Sequence, residues 1–216
     1  AIGYNHDIFE PLYINTELVI NGAKDMAESD NRLEMEEYVK KLKLVQKKLK
    51  KYDKELYLYI TPSKADFHYE NLLRSQKAIA RKQAIKPIDY FFELIRETEI
   101  PYLICRDMRE ELDYPAYYTT GTHWSRTYEQ TVSAQIIDEL SELTGKNYRK
   151  IEFSGINQSE HPFWRDSDVY DLLNVWNESN GEIYYEYEEV RDDSNDYDRI
   201  RMLVQGTSYA QGLRRD

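Results

Sequence analysis

The chain has a single cysteine, Cys105, and so no disulfide framework. A lone thiol fits the cytosol and equally a bacterial exterior that does not rely on disulfides. Basic residues are not in excess. Lys and Arg number 29 against 40 Asp and Glu, a formal net charge of −11, which leaves no basic face for non-specific nucleic-acid binding. No apolar run approaches the roughly 18 residues that a membrane span needs. There is no Walker loop and no Gly-x-Gly-x-x-Gly, so nothing supports nucleotide binding. His68 and His161 stand at no metal-ligand spacing from other His, Cys or carboxylates. There is also no internal repeat and no linker rich in Gly, Pro or Ser. The 216 residues therefore read as one domain, 1–216, long enough to bury a core. The sequence starts at Ala1 without a methionine. It reads as a trimmed or processed product whose preceding residues carried an export signal or anchor.

What is present is a succession of helical and strand patterns. Residues 30–52 place Leu33, Met35, Tyr38, Val39, Leu42, Leu44, Val45 and Leu49 near helical spacing among lysines and glutamates. A buried strand is expected over 55–61, ended by Pro62. A helix follows around 88–98, then a strand over 102–105. Residues 124–143 read as a long amphipathic helix closed by Gly145. A short strand over 149–153, a helix over 167–176 capped by Asp166 or Ser167, an alternating strand over 182–190 and a last strand over 200–204 complete the pattern. Strands alternating with helices predict a mostly parallel sheet with helices on both faces. The 20 tyrosines are many for this length. Most are expected to fill half-buried strand and helix faces, and a flat apolar ring with a hydroxyl also suits contact with sugars.

Two short stretches carry chemistry. Tyr118-Thr119-Thr120-Gly121-Thr122-His123-Trp124-Ser125 places a histidine in a polar loop just before a helix. Gln205-Gly206-Thr207-Ser208-Tyr209 places a serine in a tight turn after the apolar run 200–204. A serine needs a base to become a nucleophile at neutral pH, and histidine is the usual one. A serine at such a turn has its hydroxyl exposed and backbone N–H groups nearby to hold an oxyanion. Each residue alone has a plainer use, Ser208 as a helix cap and His123 as a packing residue. A third group normally orients the histidine. Asp107, Asp113, Asp166, Asp168 and Asp171 are all candidates, and spacing does not choose among them.

The order of Pro62-Ser63-Lys64, the His123-Trp124 block, Asp168-Val169-Tyr170-Asp171-Leu172-Leu173 and Gly206-Thr207-Ser208-Tyr209 resembles the SGNH-hydrolase-like O-acetyltransferases of the alginate type. The resemblance runs from residue 30 to Tyr209. It implies Ser208 as nucleophile, His123 as base, and an oxyanion held by the backbone N–H groups of Ser208 and Tyr209. It implies an extracytoplasmic enzyme, in the periplasm or at the cell surface, that O-acetylates a polysaccharide. The acetyl donor is then supplied by a membrane-bound acyltransferase, and neither a dissociable cofactor nor a metal is needed. It also implies a fold that continues beyond Asp216. One departure stands out: the family motif reads Asp-Thr-His-Trp, and here its aspartate position is Gly121. A bare Ser–His dyad, another orienting acid such as Asp113, or a non-catalytic glycan-binding module each follow from that glycine. An acetylesterase with the same residues is the remaining alternative, because water and sugar compete for one acyl-enzyme.

Overall fold

The computed structural model describes residues 2–9, 30–75, 77, 87–163, 165–168, 181–190 and 196–210. By its contacts the chain divides into two compact units: Ala1–Asn5 with Phe9–Met108, and His6–Ile8 with Arg109–Asp216.

The first unit is built on helix α1, Asp30–Lys50. Its last turn holds Lys47, Lys48 and Lys50, where cations meet the partial negative charge of the helix C-terminus. Among its described side chains Val39 and Gln46 are buried, while Leu33 and Leu44 face outward, so the apolar stripe is narrower than the spacing of its leucines suggests. Gln46 Oε1 accepts the N–H of Leu56 at 2.8 Å, and its amide donates to Glu55. That pair fixes the chain as it enters strand β1, Leu58–Ile60. Ser63 caps the short helix α2, Lys64–Phe67, its hydroxyl accepting the N–H of Asp66 at 3.1 Å. Helix α3, Pro87–Arg96, starts on proline, whose fixed φ and missing N–H suit a first helical position. It buries Phe92 and Ile95 and meets α1 through Tyr90, whose hydroxyl donates to Glu36 at 2.7 Å. Strand β2, Tyr102–Ile104, pairs in parallel with β1, Leu58 opposite Tyr102 and Ile60 opposite Ile104.

The second unit is organised by helix α4, Arg126–Thr144. Ser125 caps it, its hydroxyl accepting the N–H of Tyr128 at 3.2 Å. Gly145 ends it at φ 65°, a left-handed position that favours glycine. The helix lies against the antiparallel pair β3, Phe153–Ser159, and β4, Tyr184–Glu189. Gln130 joins them: its amide donates to the Tyr187 carbonyl and accepts the Tyr187 N–H, both at 2.9 Å.

The protein is of the α/β class, with parallel pairing confined to β1–β2 and a separate antiparallel pair among the described residues. The continuous, mostly parallel sheet with helices on both faces is not seen there. The strand expected over 149–153 begins later, at Phe153. The strand expected over 200–204 does not form. Residues 200–204 are not part of a strand, and Leu203 is 97% exposed. An apolar run becomes a strand only when a neighbour pairs its backbone. The helix expected over 167–176 lies largely outside the described residues. No helix among the described residues is long and apolar enough to cross a membrane.

Candidate active site

The second unit carries both singled-out stretches. The loop ahead of α4 is held at several points. Ser125 donates its N–H to the Ala116 carbonyl at 2.7 Å. Glu182 accepts the Thr119 N–H at 2.7 Å and the Thr120 hydroxyl at 3.1 Å. Trp124, itself buried, packs edge-on against Tyr128 and Tyr209. His123 is thus presented by a loop with little freedom of its own.

Ser208 opens a 3-10 turn over 208–210. The Tyr209 hydroxyl donates to the Thr122 carbonyl at 2.9 Å, and the Tyr209 ring lies 5.0 Å from the imidazole. Tyr209 therefore joins the serine turn to the histidine loop. The result is a contact across 85 positions of sequence: Ser208 Oγ lies 2.6 Å from His123 Nε2.

The other ring nitrogen meets a carboxylate. His123 Nδ1 is hydrogen-bonded to Asp168 Oδ2, while Asp168 Oδ1 accepts the Thr122 N–H at 2.7 Å. The two oxygens of one carboxylate so hold both the imidazole and the backbone beside it. This corrects the expectation for Asp113. That residue is exposed, and its charge acts on Tyr187 instead. Asp107 is paired with Arg96 at 3.2 Å, and Asp171 lies outside the described residues.

Gly121 now has a physical reason. A Cβ at this position would stand 2.4 Å from the Asp166 carbonyl oxygen and 3.0 Å from its carbon. The backbone of the segment 165–168 passes directly over the glycine, so no side chain fits. The need is for close approach and not for a left-handed φ, which Gly121 does not adopt. The loop cannot carry an aspartate there, and the carboxylate on the imidazole comes from the segment that crosses it.

Asp166 anchors that segment. Only 2% exposed, it accepts the Arg126 N–H on Oδ1 at 3.1 Å, while Oδ2 is buried with no hydrogen-bond partner. Burial, reinforced by the charges of Glu129 and Glu186, pushes its carboxyl up to about 8. Burial also pushes the Tyr118 phenol well up, with the charge of Asp166 adding to it. Arg126 is drawn to Glu186 at 3.0 Å, Glu189 at 3.6 Å and Glu129 at 3.7 Å.

A small pocket opens at Ser208 and His123, walled by Trp124, Phe163, Arg165 and Asp166 among others. Arg165 is the residue that spacing alone did not pick out. Its Nη1 lies 3.4 Å from His123 Nε2 and 3.5 Å from the Ser208 carbonyl oxygen. No group of three His, Cys, Asp or Glu side chains suited to a metal ion occurs among the described residues.

A serine hydroxyl, an imidazole and a carboxylate joined in series beside a cavity make up the side-chain constellation used for acyl transfer on many folds. Residues 20–199 match the family described as "SGNH hydrolase-like domain, acetyltransferase AlgX", and the chain belongs to that family. Among solved structures it is similar to AlgX of Pseudomonas aeruginosa, at 14% identity and TM-score 0.50, over 89% of this chain and 45% of that one. That likeness shows the fold. PatB1 of Bacillus cereus matches at 16% identity and TM-score 0.49, over 72% of this chain and 52% of that one. The O-acetyltransferase domain of Pseudomonas putida AlgJ matches at 14% and 0.44, over 74% and 58%. The chain thus spans about half the length of these structures. No curated protein matches it.

Proposed function

We propose that this chain is the catalytic part of an extracytoplasmic O-acetyltransferase that acetylates hydroxyls of an exopolysaccharide or cell-wall glycan. The observation that carries the reading is the 2.6 Å contact between Ser208 Oγ and His123 Nε2, with Asp168 on the opposite ring nitrogen. Asp168 fixes the tautomer in which Nδ1 bears the proton and Nε2 is free to accept one. Ser208 Oγ attacks the acetyl carbonyl of the donor while its proton passes to Nε2. The tetrahedral oxyanion is held by the backbone N–H groups of Ser208 and Tyr209. It collapses as the leaving group departs with the proton from Nε2, and Ser208 is left as its acetyl ester. A sugar hydroxyl then attacks that ester, its proton going to Nε2. Ser208 Oγ leaves and takes the proton back. A membrane-bound acyltransferase is the proposed source of the donor. Gly121 alone suggested a non-catalytic module. With Asp168 on the imidazole, that argument loses its basis.

The test uses the full protein and a chromogenic acetyl ester. Release of the chromophore with acetyl trapped on Ser208, detected by peptide mass, is the expected result. Ser208→Ala abolishes both, and His123→Ala reduces turnover almost as far, because members of one unit fail together. Equal rates for wild type and Ser208→Ala would overturn the reading. Adding oligosaccharide acceptors separates transfer from esterase action, since a transferase delivers acetyl to sugar faster than to water.

A further inference from the structure

We infer that Arg165 is a catalytic residue of this site, a side-chain donor that turns onto the oxyanion of the acetyl group being transferred. The inference rests on the reading of Ser208 and His123 given above. Three observations lead to it. First, Nη1 of Arg165 lies 3.4 Å from His123 Nε2 and 3.5 Å from the Ser208 carbonyl oxygen, so the guanidinium already borders the nucleophile. A guanidinium keeps its proton in proteins and has no acceptor. It cannot serve as a base here and can only donate.

Second, it faces a nitrogen that soon ceases to accept. The neutral imidazole offers one lone pair at Nε2, and the Ser208 hydroxyl holds it at 2.6 Å. Arg165 is the longer of the two contacts. Once Ser208 attacks, its proton moves to Nε2 and the ring becomes a cation. Two like charges at about 3.4 Å repel. The negative charge that forms in the same step sits on the oxygen of the carbon newly bonded to Ser208 Oγ. The guanidinium moves from the nitrogen that has gained a proton to the oxygen that has gained a charge. Its planar fork of five N–H groups allows one to stay on the Ser208 carbonyl while another makes this move.

Third, the backbone beneath Arg165 is held on its C-terminal side. Asp166 is tied to the Arg126 N–H and lies over Gly121, and Asp168 is tied to Thr122 and His123. The segment that orients the imidazole also presents the guanidinium. Arg126, the other guanidinium at the cavity, is drawn to Glu129, Glu186 and Glu189 and is held away from this task.

The experiment compares wild type, Arg165→Met and Arg165→Lys in the full protein. Single-turnover acylation of Ser208 by a chromogenic acetyl ester is followed by rapid mixing. Arg165→Met is expected to slow acylation by about 10²–10³-fold, the range for losing one oxyanion donor, with little change in KM or melting temperature. Arg165→Lys should keep part of the rate. Added guanidinium or ethylguanidinium should restore part of it to Arg165→Met and none to Arg165→Lys. Acylation of Arg165→Met within two-fold of wild type overturns the inference while leaving the Ser208 mechanism standing. Slow acylation with a lowered melting temperature and no rescue by guanidinium also overturns it, since Arg165 would then be structural. A wild type that never acetylates Ser208 overturns the Ser208 mechanism and this inference with it.

Discussion

Among the described residues each unit carries a half-buried arginine cluster, Arg106 in the first and Arg126 in the second, and the two are built on different principles. In the first unit Arg106 reaches Asp89 at 2.7 Å and Asp66 at 3.3 Å, and its guanidinium lies over the Phe92 ring at 4.8 Å. Nη1 goes to Asp66 and Nη2 to Asp89, so one cation serves two carboxylates. In the second unit Arg126 is shared among three glutamates, and Asp166 beside it keeps one oxygen without a hydrogen bond. Burial opposes the charge of both arginines, and the hydrogen bonds and charges of their carboxylates outweigh it, holding both above the ordinary guanidinium value. The difference lies in the acid left over. A cluster that fastens a fold satisfies its members, whereas a carboxyl with strongly shifted proton affinity at a cavity marks a place where chemistry competes with stability.

The sharpest break between the clusters is expected at Asp168. Asp168→Asn keeps the shape but removes the acceptor that fixes the Nδ1–H tautomer, and acylation of Ser208 should fall by about 10³–10⁴-fold. Asp113→Asn should stay within about two-fold, because that carboxylate is exposed and away from the ring. Burst kinetics on both variants check this, and equal effects would return the orienting role to open question. Next, Arg106→Met leaves Asp66 buried beside a lost cation and should cost about 3–5 kcal/mol in denaturant unfolding. Acylation per folded molecule should not change.

Gly121→Ala comes third. A methyl at 2.4 Å from the Asp166 carbonyl forces the crossing segment outward, at a cost of about 1–3 kcal/mol. Both Gly121→Ala and Gly121→Asp should melt lower and turn over more slowly. A rate gain for Gly121→Asp would mean that the loop can accept the family's aspartate after all.

The last effect is a matter of pH. Below about 4 the Asp166 carboxyl is protonated in the folded and unfolded chain alike. From there to about 8 only the folded chain keeps the proton. Its contribution to stability is complete at low pH and is lost as pH rises through that window. Each tenfold in proton affinity is worth about 1.4 kcal/mol. Asp166→Asn stays neutral and still accepts the Arg126 N–H. Its unfolding free energy should therefore exceed that of wild type by about 2 kcal/mol or more at pH 9, with the gap narrowing as pH falls and closing only below about pH 4. Parallel curves would show that Asp166 is ionised throughout.

Much of this was legible in the sequence, for identifiable reasons. Helix α4 announced itself through apolar spacing and Gly145, and its start fell two residues after Trp124, at Arg126, because Ser125 is the cap. His123 and Ser208 stood out because their types, each beside a turn, suit one reaction. Asp168 did not separate from four other aspartates, since the choice depends on how one segment crosses another. Gly121 pointed away from the observed geometry for the same reason: its meaning lies in the Asp166 backbone above it. Arg165 gave no signal, because a guanidinium matters here only by its distance from a ring nitrogen. The run 200–204 misled because hydrophobicity reports a wish for burial and says nothing of a pairing partner.

The embrace of Gln130 and strand β4 has a wider consequence. A strand at the rim of a sheet offers its outward N–H and C=O groups to any extended chain that passes, which is how soluble proteins begin to stick to one another. Here Gln130 already occupies both outward groups of Tyr187, and the Tyr118 hydroxyl takes the N–H of Tyr185 at 2.8 Å. Two side chains impersonate the missing neighbour. A stray strand arriving along that rim finds its hydrogen-bonding partners spoken for, so the strand pair resists growing into a shared sheet even when the protein is crowded.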